Sequence, residues 1–181
     1  MPDIFSSNIA LIGMPAVGKS TVGVLLAKYL AMTFVDTDLL IQTHCQKKLK
    51  EIISSIGVDE FRRIEEKVIL SLNGTNQLIA TGGSVVYSEK AMTYLRGNSI
   101  VVFLDISIQN LKKRLNDLDS RGVIRSPGQT IEMLFAERVP LYRRHADISI
   151  ICDCLLPHQV VASVIDQINS HIGFEVTDDN L

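Results

Sequence analysis

Short solid apolar runs alternate along this chain with stretches in which apolar side chains recur every three or four positions. Ile9-Ala10-Leu11-Ile12 is a run of four apolar residues closed by Gly13. Such a run suits a strand covered on both faces. From Lys19 the apolar positions Val22, Val24, Leu25, Leu26 and Leu30 shift to helical spacing. Thr33 to Val35 predicts a second short strand, ending in Asp36-Thr37-Asp38. The stretch from about 39 to 72 predicts helix in pieces. Leu39, Leu40 and Ile41 open one piece; Ile52, Ile53 and Ile56 mark another, stopped by Gly57. Phe61, Ile64, Val68, Ile69 and Leu72 mark a third. Strands are predicted again at Leu78–Thr81, Ile100–Leu104 and Ile148–Ile151, with helices over 107–115, 131–144 and 160–172. Strands separated by helices imply an α/β chain built on a parallel sheet with right-handed crossovers.

Residues 116–129 break the pattern. They are mostly polar, contain Gly and Pro, and show no apolar period. A connector that long is expected to be a lid. The tail after Gly173 is acidic and expected to fray. A length of 181 residues with no internal repeat or linker suggests one domain over 1–181. A net charge of −2 argues against a nucleic-acid partner. Cys45, Cys152 and Cys154 lack redox or zinc spacing and read as reduced packing thiols. The N-terminal apolar run is too short for a signal peptide, and no stretch is long enough for a membrane span. A cytoplasmic monomer is expected.

Chemistry enters at residues 13–20, Gly-Met-Pro-Ala-Val-Gly-Lys-Ser. This matches G-x-x-x-x-G-K-[ST], the Walker A phosphate loop, between a predicted strand and a predicted helix. Glycines turn the backbone so that its N–H groups face phosphate oxygens; the Lys reaches the β/γ-phosphates and the Ser hydroxyl ligates Mg²⁺. The helix N-terminus adds its positive dipole end. ATP and Mg²⁺ are therefore expected at Gly13, Ala16, Val17, Gly18, Lys19, Ser20 and Thr21. The Asn-Lys-x-Asp of a GTPase is absent, and the size suits a small-molecule or nucleotide kinase better than a motor.

Several further motifs stand in register from residue 9 to about 170: Asp36-Thr37-Asp38, Phe61-Arg62-x-x-Glu65, Thr81-Gly82-Gly83, Arg121, and Glu137-Arg138-x-Pro140-Leu141-Tyr142. Together they resemble the shikimate kinase family. The resemblance implies a three-layer P-loop fold with a five-stranded parallel sheet in the order 2-3-1-4-5. It also implies a substrate-binding helical segment at about 37–65, a lid, and phosphoryl transfer from ATP to the 3-hydroxyl of shikimate. It makes Lys19, Asp38 and Arg121 catalytic, with Asp38 gripping acceptor hydroxyls and Arg121 neutralising charge on the transferred phosphoryl group. Arg62, oriented by Glu65, and Arg138 become clamps on the acceptor carboxylate. Gly82 and Gly83 admit the acceptor closely, Asp36 supports Mg²⁺ with Ser20, and Arg114 lies against adenine. Taken by themselves the residues leave other roles open. Asp36 and Asp38 both suit a helix N-cap, Arg62 and Glu65 suit a solvated i,i+3 pair, and Arg114 suits the surface cluster Lys112-Lys113-Arg114.

The chain departs from the family pattern at three places. Ser84 stands where a third glycine is usual, which puts a side chain at the acceptor site. The lid reads Arg121-Gly122-Val123-Ile124 in place of Arg-Pro-Leu-Leu. Ala16 and Val17 replace the common Gly and Ser of the phosphate loop, a change that a backbone-driven loop tolerates. The first two leave another small hydroxy acid open as acceptor. An ATP-binding regulatory domain without turnover is the reading from a different class.

Overall fold

The computed structural model describes residues 7–116 and 128–173. Five strands form one parallel sheet: β1 (Asn8–Ile12), β2 (Thr33–Asp36), β3 (Gln77–Ala80), β4 (Ser99–Asp105) and β5 (Ile148–Ile151). Their order is β2-β3-β1-β4-β5, as the resemblance implied. β1 is buried along its whole length between β3 and β4, which is why its sequence shows no alternation.

Eight α-helices surround the sheet among the described residues. α1 (Lys19–Tyr29) lies over β2 and β3, where a side chain at Gly23 would meet the Phe34 ring at 2.7 Å. Val22, Leu26 and Ala27 face the core, whereas Val24 and Leu25 lie outward, against the simple reading of the pattern. α2 (Thr37–Cys45), α3 (Leu49–Ile56) and α4 (Val58–Ser71) make up the segment expected to bind substrate. They enclose a small core of their own, Ile41, Ile52 and Phe61, separate from the main one around the sheet.

A 3-10 turn (Val85–Tyr87) and α5 (Glu89–Asn98) follow β3, and neither is predicted by the apolar pattern. The Ser88 hydroxyl caps α5 by accepting from Ala91 N–H, and Ala91, Met92 and Leu95 are buried. Three apolar positions among Lys90, Thr93, Arg96 and Asn98 give too weak a periodic signal. α6 (Ile108–Asn116), α7 (Ile131–His145) and α8 (Pro157–His171) complete the chain. The lid expected at 116–129 and the tail after 173 lie almost entirely outside the described residues. Cys152 is buried as expected, whereas Cys154 is exposed. No described helix is long and apolar enough to cross a membrane.

Candidate active site

The carboxyl ends of β1, β2 and β3 open into a cleft of about 670 Å³ lined by Lys19, Ser20, Asp36, Asp38, Gly83 and Arg138, among others. Ligands of open α/β sheets collect at this edge.

The phosphate loop turns at two glycines. Gly13 has φ +145, and a Cβ there would lie 2.7 Å from the Leu104 carbonyl oxygen. Gly18, at φ +112, supplies the N-cap of α1. Between them Ala16 holds a left-handed φ of +64, so the position where glycine is common carries strain of about 1–2 kcal/mol. Val17 turns its side chain into the core and leaves only its backbone to the loop. The Lys19 ammonium donates to the carbonyls of Gly13 (2.8 Å) and Met14 (3.0 Å), which holds it across the mouth of the loop. Burial lowers its pKa to about 8, against the opposing pull of Asp38.

The Ser20 hydroxyl donates to Asp36 Oδ2 at 2.6 Å, while Asp36 Oδ1 accepts from Leu39 N–H at 3.1 Å. Asp36 is thus the N-cap of α2 and a partner of Ser20 at once. Capping by Asp36 leaves Asp38 in the first turn with its carboxylate free for the cleft. A hydroxyl and a carboxylate oxygen beside a phosphate loop form an all-oxygen donor set that suits Mg²⁺. No cluster of three carboxylate, His or Cys ligands exists among the described residues, so phosphate oxygens and water would complete the coordination.

Asp38 and Glu65 converge from α2 and α4 on the point where a Gly82 side chain would stand. A Cβ there would collide with Glu65 Oε1 and lie 2.7 Å from Asp38 Oδ1. Both oxygens are shielded from solvent without a hydrogen bond. Burial raises the Asp38 carboxyl to about 6, with Lys19 pulling the other way. It raises Glu65 to about 7, opposed first by the hydrogen bond from Ser84. Gly83 is equally confined: its Cβ would sit 3.1 Å from Arg138 Nη1 and from Pro15 Cδ. The room left by these two glycines is filled by Asp38, Glu65, Arg138 and Pro15.

Ser84 is buried, and its hydroxyl donates to Glu65 Oε2. Arg138 is fully buried on α7. Tyr142, one turn on, stacks on Phe103 at 5.2 Å and donates its hydroxyl to the Gly83 carbonyl at 2.5 Å. That contact ties α7 to the Gly82–Gly83 turn. Arg62 pairs with Asp59 at 3.6 Å while its charge also acts on Glu65, and its guanidinium lies over the Tyr87 ring. Arg114 is half-buried and donates to the Val17 carbonyl at 2.6 Å, unlike its exposed neighbours Lys112 and Lys113. That bond anchors it to the phosphate loop. Arg121 lies outside the described residues.

Sequence reasoning assigned no role to Ser84 as a partner, nor to Tyr87 or Tyr142. Tyr142 carried a signal, since it shares a helix face with Arg138 at i+4. Ser84 and Tyr87 carried none, because their partners lie on other elements.

Residues 15–169 match the family model for shikimate kinase. Shikimate kinase from Sulfurihydrogenibium sp. (strain YO3AOP1) is 36% identical over 162 residues, spanning 89% of this chain and 97% of that protein. Among solved structures, shikimate kinase from Acinetobacter baumannii in complex with shikimate superposes with a TM-score of 0.84 at 27% identity, covering 91% of this chain and 94% of that one. Shikimate kinase from Aquifex aeolicus vf5 gives a TM-score of 0.81 at 30% identity, with 93% and 99% covered. A phosphate loop, a paired carboxylate and a buried arginine in one cleft agree with these matches, and the chain belongs to the shikimate kinase family.

Proposed function

We propose that this enzyme transfers the γ-phosphoryl group of ATP to the 3-hydroxyl of shikimate, using the ATP and Mg²⁺ on which shikimate kinases run. The observation that carries this reading is the convergence of Lys19, Asp38 and Arg138 on one cleft. Phosphoryl transfer needs positioning and charge neutralisation more than covalent help. The backbone from Gly13 to Thr21 cradles the phosphates, and Lys19 exchanges its carbonyl contacts for phosphate oxygens. Mg²⁺, held beside Ser20 and Asp36, would offset charge on the phosphates. Asp38 orients the acceptor hydroxyl and takes its proton as the oxygen attacks phosphorus. A carboxyl raised to about 6 is ionised at neutral pH yet basic enough for that task.

Arg138 and Arg62 read the acceptor carboxylate, with Gly82 and Gly83 leaving room for Asp38 and Glu65 at its other end. A guanidinium fork matches a carboxylate in a way a lysine does not. Arg114 borders the nucleoside, and Arg121 neutralises charge on the transferred group. The enzyme works as a single-domain monomer on small molecules, without nucleic acid or membrane.

The test is ATP consumption across a panel of hydroxylated carboxylic acids that includes shikimate. Stimulation by shikimate above the other acids is expected. Turnover of another acid with none of shikimate would overturn the acceptor while leaving the kinase. A second reading, nucleotide binding without turnover, requires no consumption with any acid.

A further inference from the structure

We infer that Tyr87 is a positioning residue for acceptor recognition, aligning the two guanidinium groups of Arg62 and Arg138. The inference rests on the proposed role of those arginines as readers of the acceptor carboxylate.

Tyr87 closes the 3-10 turn after Gly82 and Gly83, so the strand end that lines the cleft also fixes its ring. Arg62 arrives from α4 and Arg138 from α7. The Arg62 guanidinium carbon lies 4.2 Å from the ring centroid, and that of Arg138 lies 5.1 Å from it. Arg138 Nε also donates to the Tyr87 hydroxyl at 3.2 Å. One side chain thus engages both cations, by its π face and by its oxygen.

Apart from the attraction of Glu65, the anchor of Arg62 is weak. Its ion pair with Asp59 is long, 3.6 Å, and the Asp59 side chain is 90% exposed. The ring is the better-fixed partner. Chemistry explains why a tyrosine suits this place. Two guanidinium groups poised for one carboxylate repel each other. Glu65 is the carboxyl that feels both guanidinium groups, and a further carboxylate would neutralise the charge that the acceptor must meet. An aromatic face and a phenol oxygen attract both cations while remaining neutral. Burial keeps the phenol protonated by raising its pKa.

Kinetics of Tyr87→Phe and Tyr87→Leu test the inference, with shikimate, its methyl ester and ATP as varied substrates. Tyr29→Leu, 70% exposed on α1, serves as control. Losing the ring should raise the shikimate KM about tenfold, and losing only the oxygen about threefold. Preference for the acid over the ester should fall in the same order, with the ATP KM unmoved and the control unchanged. An acid-over-ester preference that survives in a cooperatively folded Tyr87→Leu overturns the inference. So does an ATP KM that rises as much as the shikimate KM. Should Tyr87→Leu fail to fold, Tyr87→Phe decides, because it deletes one atom, and an unchanged preference then overturns the inference. If the parent enzyme ignores shikimate, the proposed acceptor falls, and Tyr87 is measured on the panel acid that is turned over and its methyl ester. A parent that favours no acid over its ester overturns both.

Discussion

Asp38 shows how one position in a turn decides a residue's chemistry. Asp36 takes the capping bond from Leu39 N–H, so the carboxylate two residues later keeps an oxygen free beside Lys19 and Glu65. Asp38→Asn should lower kcat by about 10²–10⁴-fold, the range for losing a positioned base. ATP affinity, measured by calorimetry, should change less than about twofold; a large loss would show that Asp38 serves the nucleotide instead. With the carboxyl raised to about 6, kcat/KM of the parent should fall as pH drops through 6, and the residual rate of Asp38→Asn should not follow. The Walker A residues were legible because all their chemistry lies within eight consecutive positions. Asp36 and Asp38 were legible as a pair, but spacing could not say which one caps. The partner of Ser84 was not legible, because a side chain beside a glycine pair can point to either face. Here it points to Glu65, nineteen positions away in the chain.

At the scale of elements, the acceptor side and the nucleotide side rest on different cores. α2, α3 and α4 enclose Ile41, Ile52 and Phe61, whereas β1, β4 and α1 belong to the large core around the sheet. Few buried apolar contacts mean a low opening free energy. Amides of α2 and α3 should therefore exchange hydrogen faster than those of β1 and β4, by a margin that saturating acceptor narrows. Equal protection in the absence of ligand would contradict the two-core account. Phe61→Ala removes the centre of the small core at a cost of about 3–5 kcal/mol. It should raise the acceptor KM more than the ATP KM, since Arg62 and Glu65 follow it on the same helix. The strands were legible as apolar runs, and helices α1 and α7 by their period. α5 was not, because its buried face is only three apolar residues wide. Sheet order is invisible to periodicity altogether, since it is set by which way each crossover runs, and it came from the motif resemblance.

Across the whole molecule, the site holds charge that folding alone would avoid, and pH exposes the cost. Glu65 has its folded-state pKa raised from 4.5 to about 7 by burial. Between those values the native chain holds a proton that the unfolded chain has lost, so this group's contribution to stability falls as pH rises through the window. Lys19 behaves oppositely. With its pKa lowered from 10.5 to about 8, the native chain releases a proton first, and its contribution improves only as pH rises between 8 and 10.5. Near neutral pH, both burials burden the fold and are kept for the cleft they create. Glu65→Gln removes one of them while leaving an oxygen to accept from Ser84. At pH 8 the variant should melt a few degrees above the parent, given that about 1 kcal/mol moves Tm by roughly 2–4 °C in a chain of this size. Well below pH 4.5, where the parent's Glu65 is protonated in both states, the difference should shrink toward zero. The same substitution should weaken the acceptor site, because Glu65 Oε1 shares its point of convergence with Asp38. A higher Tm at pH 8 with a raised shikimate KM is the expected pairing. A Tm that falls at pH 8 would mean that attraction from Arg62 and Arg138 outweighs the desolvation of Glu65, and that the carboxylate holds the fold together.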